Sequence, residues 1–331
     1  MSSPLLSVRD LEIAFRIGDS DVPVVRDLSF DVHHGETLGI VGESGCGKSI
    51  TALSLMGLIP TPPGRISRGQ ILFQGEDLVQ AGETRLRQIR GREISMVFQE
   101  PMTSLNPVFT IGEQIAETVR AHFSVSRREA RDRAIEMLRL VEIPAAEKRV
   151  DNYPHQLSGG MRQRVMIAIA LACEPKLLIA DEPTTALDVT VQAQIFDLFL
   201  NLQQKTKAAI ILITHDIGAV AEMTDRVMVM YAGRKIEEAP VDDFINRPMH
   251  PYARGLISCI PRLSADPSNE PEPLFEIPGV VPGARQLGAA GCAFAPRCAN
   301  VLERCREDTP ALEMKREAHP VACWNNVEYP A

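Results

Sequence analysis

The sequence predicts an α/β protein with a largely parallel sheet, because short apolar strands alternate with helices in the middle of the chain. Lys176 to Ala180 and Ala209 to Thr214 are short and apolar, which is typical of strands buried on both faces. One helix is predicted from near Ser158 through Ala172, and another from its N-cap Asp188 to about Lys205. Strands that alternate with helices in this way favour a parallel sheet.

Further elements are predicted on the amino-terminal side of this region. Leu5 to Val41 is interpreted as short strands separated by turns, and Gly69 to Phe73 and Ile94 to Phe98 as two more strands. From Thr110 to about Val141 the pattern becomes helical, most clearly over Arg127 to Leu140, where charged and apolar residues recur at the 3.6-residue helical period.

The composition excludes some classes of protein. With 331 residues, of which 45% are hydrophobic, the chain can bury a large core. A net charge of −8 without a Lys/Arg block argues against a protein that binds nucleic acid mainly by charge. The longest apolar stretch, Val165 to Cys173, is about half of the ~18 residues of a membrane span. Met1 to Leu5 lacks the start of a signal peptide, so we expect a cytoplasmic protein.

The proline content and the periodicity of the sequence change near residue 239. Prolines recur from Pro240 to Pro282, with little long periodicity between them. We therefore predict a main domain over residues 1–238 and a separate, small C-terminal appendage over residues 239–331. The appendage contains a cluster of cysteines, namely Cys292, Cys298, Cys305 and Cys323.

A phosphate-binding turn is predicted between the first buried strand and the first helix. Gly42 to Ser49 has the G-x-x-x-x-G-K-S spacing, in which backbone N–H groups and a helix N-terminus face phosphate oxygens. Lys48 would reach the β/γ-phosphates and Ser49 would hold Mg²⁺. The alternative is a chance glycine-rich turn. The candidate cofactor-binding residues here are Gly42, Ser44, Gly45, Cys46, Gly47, Lys48, Ser49 and Ile50.

Two carboxylates end the predicted strand at residue 180. Asp181 can reach Mg²⁺ beside Ser49 from the end of a strand, and Glu182 would point towards the γ-phosphate to polarise the attacking water. An ordinary buried strand followed by an acidic turn is the alternative interpretation.

The turn Leu157 to Met161, with the sequence LSGGM, opens a helix and is a second candidate anion-binding site. A chain with one triphosphate site does not need two. The economical hypothesis is that this turn caps a nucleotide held by a second, similar subunit, whereas a plain N-cap at Ser158 is the alternative.

Taken together, these motifs resemble those of the ATP-binding subunits of ABC transporters. The likeness covers about residues 5 to 237. In chain order it comprises an adenine-stacking aromatic at Phe15, Walker A at Gly42–Ser49, the Q-loop Gln99, the signature Leu157–Met161, Walker B at Leu177–Asp181, the catalytic Glu182, the D-loop Ala186–Asp188 and the switch His215.

The resemblance implies a RecA-like core with an antiparallel β subdomain and a helical subdomain over about residues 100–158. It implies ATP as the cofactor, catalytic roles for Glu182, His215 and Gln99, and Mg²⁺ held by Ser49, Gln99 and Asp181. It further implies that two subunits enclose two ATP molecules, with Ser158, Gly159 and Gly160 acting in trans. Met161, where the signature often has Gln, and Cys46, inside the P-loop, depart from the usual pattern.

The sequences of three further segments resemble those of the peptide/nickel importer branch, namely Pro101–Pro107, Asp181–Val189 and His250–Tyr252. A fourth segment, Ile277–Gly283, resembles the D-type ATPase subunits of dipeptide and oligopeptide permeases, above all that of the dipeptide permease. The branch implies a second homologous ATPase subunit in a hetero-dimer, two transmembrane permease subunits, an extracytoplasmic peptide-binding protein and a peripheral location on the cytoplasmic face of the membrane. Nickel complexes, glutathione and haem are alternative cargoes, and a soluble non-transport ABC ATPase is a rival function.

The cysteine spacing alone, C-x5-C-x6-C-x17-C, indicates four soft ligands for zinc or iron–sulfur, or else four unrelated thiols. The resemblance favours a 4Fe–4S cluster on Cys292, Cys298, Cys305 and Cys323 that staples the appendage, with zinc as the alternative.

Overall fold

The structure is a computed structural model that describes residues 3–99, 104–184, 188–260, 275–285 and 290–325. Of the D-loop, Ala186 and Leu187 lie outside these residues, as does the first part of the Pro101–Pro107 segment. The strands are β1 (Leu6–Ile17), β2 (Ser20–Val32), β3 (Thr37–Val41), β4 (Gly64–Phe73), β5 (Glu76–Asp77), β6 (Ile94–Val97), β7 (Leu177–Asp181), β8 (Ala209–Ile213), β9 (Arg226–Tyr231), β10 (Arg234–Pro240), β11 (Glu313–Arg316) and β12 (His319–Val321).

Helices cover much of the remaining chain, and short 3₁₀ turns occupy Pro154–Gln156 and Ala295–Arg297. The α-helices of the described residues are α1 (Lys48–Leu55), α2 (Glu83–Ile89), α3 (Ile111–His122), α4 (Arg127–Leu140), α5 (Ala146–Arg149), α6 (Gly159–Leu171), α7 (Val189–Thr206), α8 (Ile217–Met223), α9 (Val241–Asn246), α10 (Pro251–Ser258) and α11 (Arg304–Glu307). None of them is both long and apolar enough to cross a membrane.

The larger sheet has eight strands in the order β11-β12-β10-β9-β3-β8-β7-β6. The five strands from β9 to β6 in that order pair in parallel, whereas β10, β12 and β11 are antiparallel additions. All residues of β3, β7 and β8 are buried, as expected of parallel strands covered on both faces. The predicted α/β class with a largely parallel sheet is confirmed.

The second sheet is antiparallel, in the order β2-β1-β4-β5. The prediction of short strands over residues 5–41 was wrong in length, because β1 and β2 have 12 and 13 residues. Register shifts in β1 between Val8 and Leu11 and between Leu11 and Ile13 interrupt the alternation that marks a long strand in a sequence. One apolar core, which includes Leu28, Phe73 and Ile211, is shared by this sheet and the parallel one.

A group of helices, α3 to α6, packs around a second core that includes Ile115, Ala134 and Leu138. The starts of α3 and α4 are fixed by capping: Thr110 accepts a hydrogen bond from the Glu113 backbone, and Ser126 forms a capping box with Glu129.

The described residues after 239 extend the main sheet, although the sequence indicated a separate appendage. Strand β12 pairs with β10, with Val321 opposite Glu237, so the tail supplies two strands at one edge. Phe294 joins Tyr231 and Tyr252 in a third core, with ring centroids 4.7 to 5.4 Å apart. These strands have only three and four residues, which is too short for a periodic signal.

Candidate active site

The glycine-rich turn has a backbone that only glycine allows at its first position. Gly42, Gly45 and Gly47 have φ angles of 154°, 81° and 104°. A Cβ on Gly42 would lie 2.3 Å from the carbonyl oxygen of Met230 and 2.8 Å from the Cys46 sulfur, so any side chain there would force the turn apart. The turn follows buried β3 and leads into α1, whose N-cap is Gly47. This is the predicted strand–turn–helix order.

Lys48 lies inside the turn. Its side chain folds back, and its ammonium donates to the carbonyl oxygens of Gly42 at 2.7 Å and Glu43 at 3.0 Å. The residue is 5% exposed, so a buried cation stands at the centre of a loop with exposed Ser44 and Gly45 on its rim. An anion that binds this loop meets both a positive charge and a helix N-terminus.

Ser49 and Asp181 meet where α1 approaches the end of β7. The Ser49 hydroxyl donates to an Asp181 carboxylate oxygen at 3.2 Å. Burial raises the pKa of Asp181, while the Ser49 hydrogen bond opposes that rise. A hydroxyl and a carboxylate oxygen side by side match the ligands that Mg²⁺ accepts beside phosphate oxygens, so these residues fit the ion.

Glu182 is the meeting point of the three predicted catalytic side chains. Gln99 donates its amide to the carboxylate at 2.9 Å, and Nδ1 of His215 lies 3.5 Å from the same oxygen. The Glu182 side chain is 12% exposed and that of His215 is 68% exposed. Glu182 has a φ of 46°, a left-handed backbone that is rare for residues with a side chain and is often found at functional sites.

Phe15 and Ile50 are half-buried and pack against the same core between the two sheets. Phe15 lies near the end of β1, opposite Val22 and Gly64. Its stacking role stays a prediction.

Cys46, which departs from the usual pattern of the P-loop, has its thiol turned into the core. Its side chain is 0% exposed and packs in the core, and burial raises the thiol pKa. A buried neutral thiol is a poor nucleophile and is protected from oxidants. Only the backbone of Cys46 is therefore available to a phosphate.

The second predicted turn, Leu157 to Met161, is separate from the phosphate-binding turn. Ser158 caps α6 by accepting a hydrogen bond from the Met161 backbone at 3.4 Å, and Ser158 and Gly159 are exposed. A Cβ on Gly159 would meet nothing within 4 Å, whereas one on Gly160 would lie 2.8 Å from Val191. Within the described part of the chain, no hydrogen bond or ion pair joins this turn to residues 42–49. The chain leaves an open helix N-terminus here.

The four tail cysteines lie in the same region, but their side chains are not arranged as the ligands of a metal site. The Cys292 N–H donates to the Cys305 carbonyl at 2.7 Å. Burial raises the pKa of Cys323 to about 11, and the other three thiols add to that rise. Across the described ranges, which include all four, no group of three or more His, Cys, Asp or Glu is arranged to hold a metal ion. The geometry does not support the predicted 4Fe–4S cluster.

Sequence reasoning missed two residues that contact the phosphate-binding turn. Tyr252 and Arg297 both bind Glu43, one at its backbone and one at its carboxylate. Tyr252 lies in the His250–Tyr252 segment, which the sequence marked only as a family likeness, and Arg297 lies in no motif that the sequence analysis identified.

The chain matches two known sequence families. The profile described as "ABC transporter" matches residues 25–185, and the one described as "Oligopeptide/dipeptide transporter, C-terminal region" matches residues 236–305. A probable peptide ABC transporter ATP-binding protein of Sinorhizobium fredii is 52% identical, covering 98% of this chain and 96% of the relative. Two Bacillus subtilis relatives are the oligopeptide transport ATP-binding protein AppD, at 49% identity, and the dipeptide transport ATP-binding protein DppD, at 47%. Each covers 97% of this chain, with 97% of AppD and 94% of DppD aligned.

Solved structures with the same architecture include the ATP-binding cassette MJ0796, dimeric and bound to ADP and Pi. It is 27% identical with a TM-score of 0.65, and the match covers 71% of this chain and 98% of MJ0796. The cbiO1 protein of Clostridium perfringens, part of the transporter complex cbiONQ, is 28% identical with a TM-score of 0.63, over 75% of this chain and 93% of cbiO1.

Proposed function

This chain belongs to the ABC transporter family of ATP-binding proteins, and we propose that it is the ATP-hydrolysing subunit that powers a peptide importer. The observation that carries the proposal is the convergence of Lys48, Ser49, Asp181 and Glu182 at the carboxyl ends of parallel strands. Ligand sites of parallel α/β sheets lie at that edge. The peptide cargo is supported by the relatives named for oligopeptide and dipeptide transport and by the match of the C-terminal region.

The turn binds the triphosphate through its backbone N–H groups and through Lys48, which exchanges the carbonyls of Gly42 and Glu43 for phosphate oxygens. Ser49, Asp181 and Gln99 would hold Mg²⁺, which would supply positive charge beside the triphosphate. For Asp181 to do so it must be ionised, and Lys48 nearby favours the ionised form.

Glu182 orients the attacking water and accepts a hydrogen bond from it. Gln99 and His215 already flank this carboxylate, so both sense the γ-phosphate from the position in which Glu182 works. The His215 side chain is 68% exposed, against 12% for Glu182, which leaves His215 free to turn towards a phosphate.

The open turn at Ser158, Gly159 and Gly160 completes the ATP site of a second, homologous ATPase subunit in a hetero-dimer. Its exposure supports this role, because an unliganded helix N-terminus with free N–H groups is suited to bind the γ-phosphate of a facing subunit. The dimeric state of MJ0796 with bound ADP and Pi is a precedent for such an assembly.

The remaining partners are two transmembrane permease subunits and an extracytoplasmic peptide-binding protein, and the chain sits peripherally on the cytoplasmic face of the membrane.

The deciding experiment reconstitutes the chain with its permease and ATPase partners in vesicles. Peptide-loaded binding protein should stimulate phosphate release several-fold, and the same assembly with Glu182→Gln should not respond. Stimulation by a nickel complex, glutathione or haem but not by peptide would reassign the cargo. Co-purification with nucleic acid, without hydrophobic subunits, would overturn the transport function.

We also propose that Cys292, Cys298, Cys305 and Cys323 bind a 4Fe–4S cluster. Support comes from the resemblance to D-type peptide-permease ATPases and from the proximity of two of the cysteines, since the Cys292 N–H donates to the Cys305 carbonyl oxygen at 2.7 Å. Because they are not arranged as a ligand set, binding must reorient their side chains and deprotonate them. Anaerobically purified protein should absorb near 400 nm, roughly the iron–sulfur range, and should contain iron and sulfide. A colourless protein that contains zinc would replace the cluster with a zinc site, and a metal-free protein would overturn both.

A further inference from the structure

The described part of the tail contacts the phosphate-binding turn at Glu43. This residue follows Gly42 directly, and its carbonyl accepts a hydrogen bond from Lys48 at 3.0 Å. Its backbone N–H and its carboxylate are both bound by side chains from the C-terminal part of the chain. All three polar groups of Glu43 are thus engaged.

The first contact comes from Tyr252 on α10. Its hydroxyl accepts a hydrogen bond from the Glu43 N–H at 2.7 Å, and the residue is fully buried. The start of α10 is fixed by Glu237, whose carboxylate accepts hydrogen bonds from the backbones of Met249 and His250 at 2.8 and 2.7 Å. Tyr252 is therefore held by a buried network, and a contact from such a residue is well defined in space.

The second contact comes from Arg297, whose side chain is 6% exposed. Its guanidinium binds the Glu43 carboxylate at 3.0 Å and the Tyr231 hydroxyl at 3.4 Å, and it donates to the Pro278 carbonyl at 2.7 Å. A guanidinium with this many acceptors is rigid and permanently charged.

The charge of Glu43 explains why such a contact matters. A carboxylate beside a triphosphate site repels the ligand, since like charges raise the free energy of binding. Arg297 neutralises the carboxylate and anchors it to the tail. Removing Arg297 alone exposes the turn to an unpaired negative charge, whereas removing both charges does not.

We infer that Arg297 and Tyr252 are positioning residues for the nucleotide: they hold Glu43, and through it the turn at residues 42–49, in the shape that accepts ATP. The inference rests on the proposed ATP-binding function. It also gives the tail a role in the ATP site, because Arg297 lies on the short segment between Cys292 and Cys298.

The test measures the affinity of the full-length chain for a slowly hydrolysed ATP analogue with Mg²⁺. Arg297→Met should weaken binding about tenfold, the usual scale for a hydrogen bond to a charged group. Arg304→Met is the matched control, because Arg304 lies in the same tail, is 63% exposed and pairs only with Asp308 among carboxylates of the described residues. The double variant Glu43→Gln with Arg297→Met should recover to within about threefold of the parent. A merely structural role of Arg297 would not be rescued by Glu43→Gln.

Amide hydrogen exchange gives a readout that does not depend on nucleotide. Tyr252→Phe keeps the packed ring and removes the acceptor, so the Glu43 amide should exchange faster, while Arg304→Met should leave it unchanged. Melting curves of every variant verify that it is folded. Unchanged affinity in folded Arg297→Met, failed rescue, or unchanged exchange in Tyr252→Phe would overturn the inference. If no form binds ATP, the proposed function fails, and the exchange data still decide whether the tail holds the turn.

Discussion

Two helix N-termini of this protein begin in nearly the same way and end up in different surroundings. Both α1 and α6 follow a turn that contains serine and glycine, and both direct free N–H groups outwards. At α1, the side chains of Lys48, Ser49 and Asp181 gather around the turn. At α6, Ser158 only caps its own helix and faces solvent. The difference teaches that similar turns can have different surroundings: the first gathers the side chains to which we assign catalysis, whereas the second offers the binding groups that we assign to a partner's nucleotide.

The largest effect is expected from replacing Glu182, the side chain to which we assign the role of general base beside the first turn. Glu182→Gln in the assembled importer should lower ATP turnover about a thousandfold, because the amide cannot accept a proton, while ATP binding persists. Phosphate release and analogue binding measure the two properties. Glu174→Gln is the control, since Glu174 also has a left-handed backbone (φ 53°) and pairs with Arg133 away from the site. Equal losses in both variants would contradict the role of Glu182.

The second turn can be tested with a charge. Gly159→Asp should lower turnover of the assembled importer about a hundredfold, because a carboxylate would face the partner's γ-phosphate. ATP binding by the isolated chain should not change. Gly82→Asp is matched to it: Gly82 also lies at a helix start, and a Cβ there also meets nothing within 4 Å. An isolated chain of Gly159→Asp that no longer binds ATP would place this turn in its own site.

A smaller effect is expected on the thermal stability of the chain, through the carboxylate beside the first turn. Asp181→Asn should raise the melting temperature of the nucleotide-free chain at pH 7 by about 2 °C, and abolish Mg²⁺-dependent turnover. Burial raises the pKa of Asp181 above 3.8, so the ionised carboxylate costs folding free energy at neutral pH. That cost vanishes as pH falls through the raised pKa towards 3.8, and the gain from Asn should vanish with it. A lower melting temperature at pH 7 would show that the carboxylate stabilises the fold.

The smallest expected effect concerns the cap itself. Ser158→Ala should lower the free energy of unfolding by about 0.5 kcal/mol, because one hydrogen bond to an exposed helix start is lost. Ser126→Ala should cost about 1 kcal/mol, since it breaks a capping box by removing the hydroxyl that accepts from the Glu129 backbone N–H. Urea unfolding measures both. Only Ser158→Ala should also reduce turnover of the assembled importer, and equal turnover in the two variants would reduce Ser158 to a plain cap.

The sequence was most informative where chemistry is local. The turn at residues 42–49, the acidic end of β7 and the cap at Ser158 all appear where the spacing predicts them. Their side chains act through neighbours in the chain or at the ends of adjacent strands, so a short pattern is sufficient. It was least informative in the tail, where four cysteines in one segment indicated a metal site that the described geometry does not form.

Long-range contacts explain the remaining differences. The contact between Arg297 and Glu43 spans 254 residues, and no periodicity or motif encodes which arginine will meet which carboxylate. The pairing of β12 with β10 is of the same kind, because a three-residue strand becomes recognisable only beside its partner.

The sequence by itself therefore determined the α/β class, the glycine-rich turn before α1, the two carboxylates at the end of β7 and the second turn before α6, since each depends on backbone geometry and residue type over a few positions. Only the tertiary structure decided that Gln99 and His215 approach the same carboxylate oxygen of Glu182, and that Cys46 faces the core. It also decided that Arg297 of the tail binds the Glu43 carboxylate in the turn. Those outcomes depend on burial and on contacts between distant segments, which are fixed when the two sheets and the tail pack together.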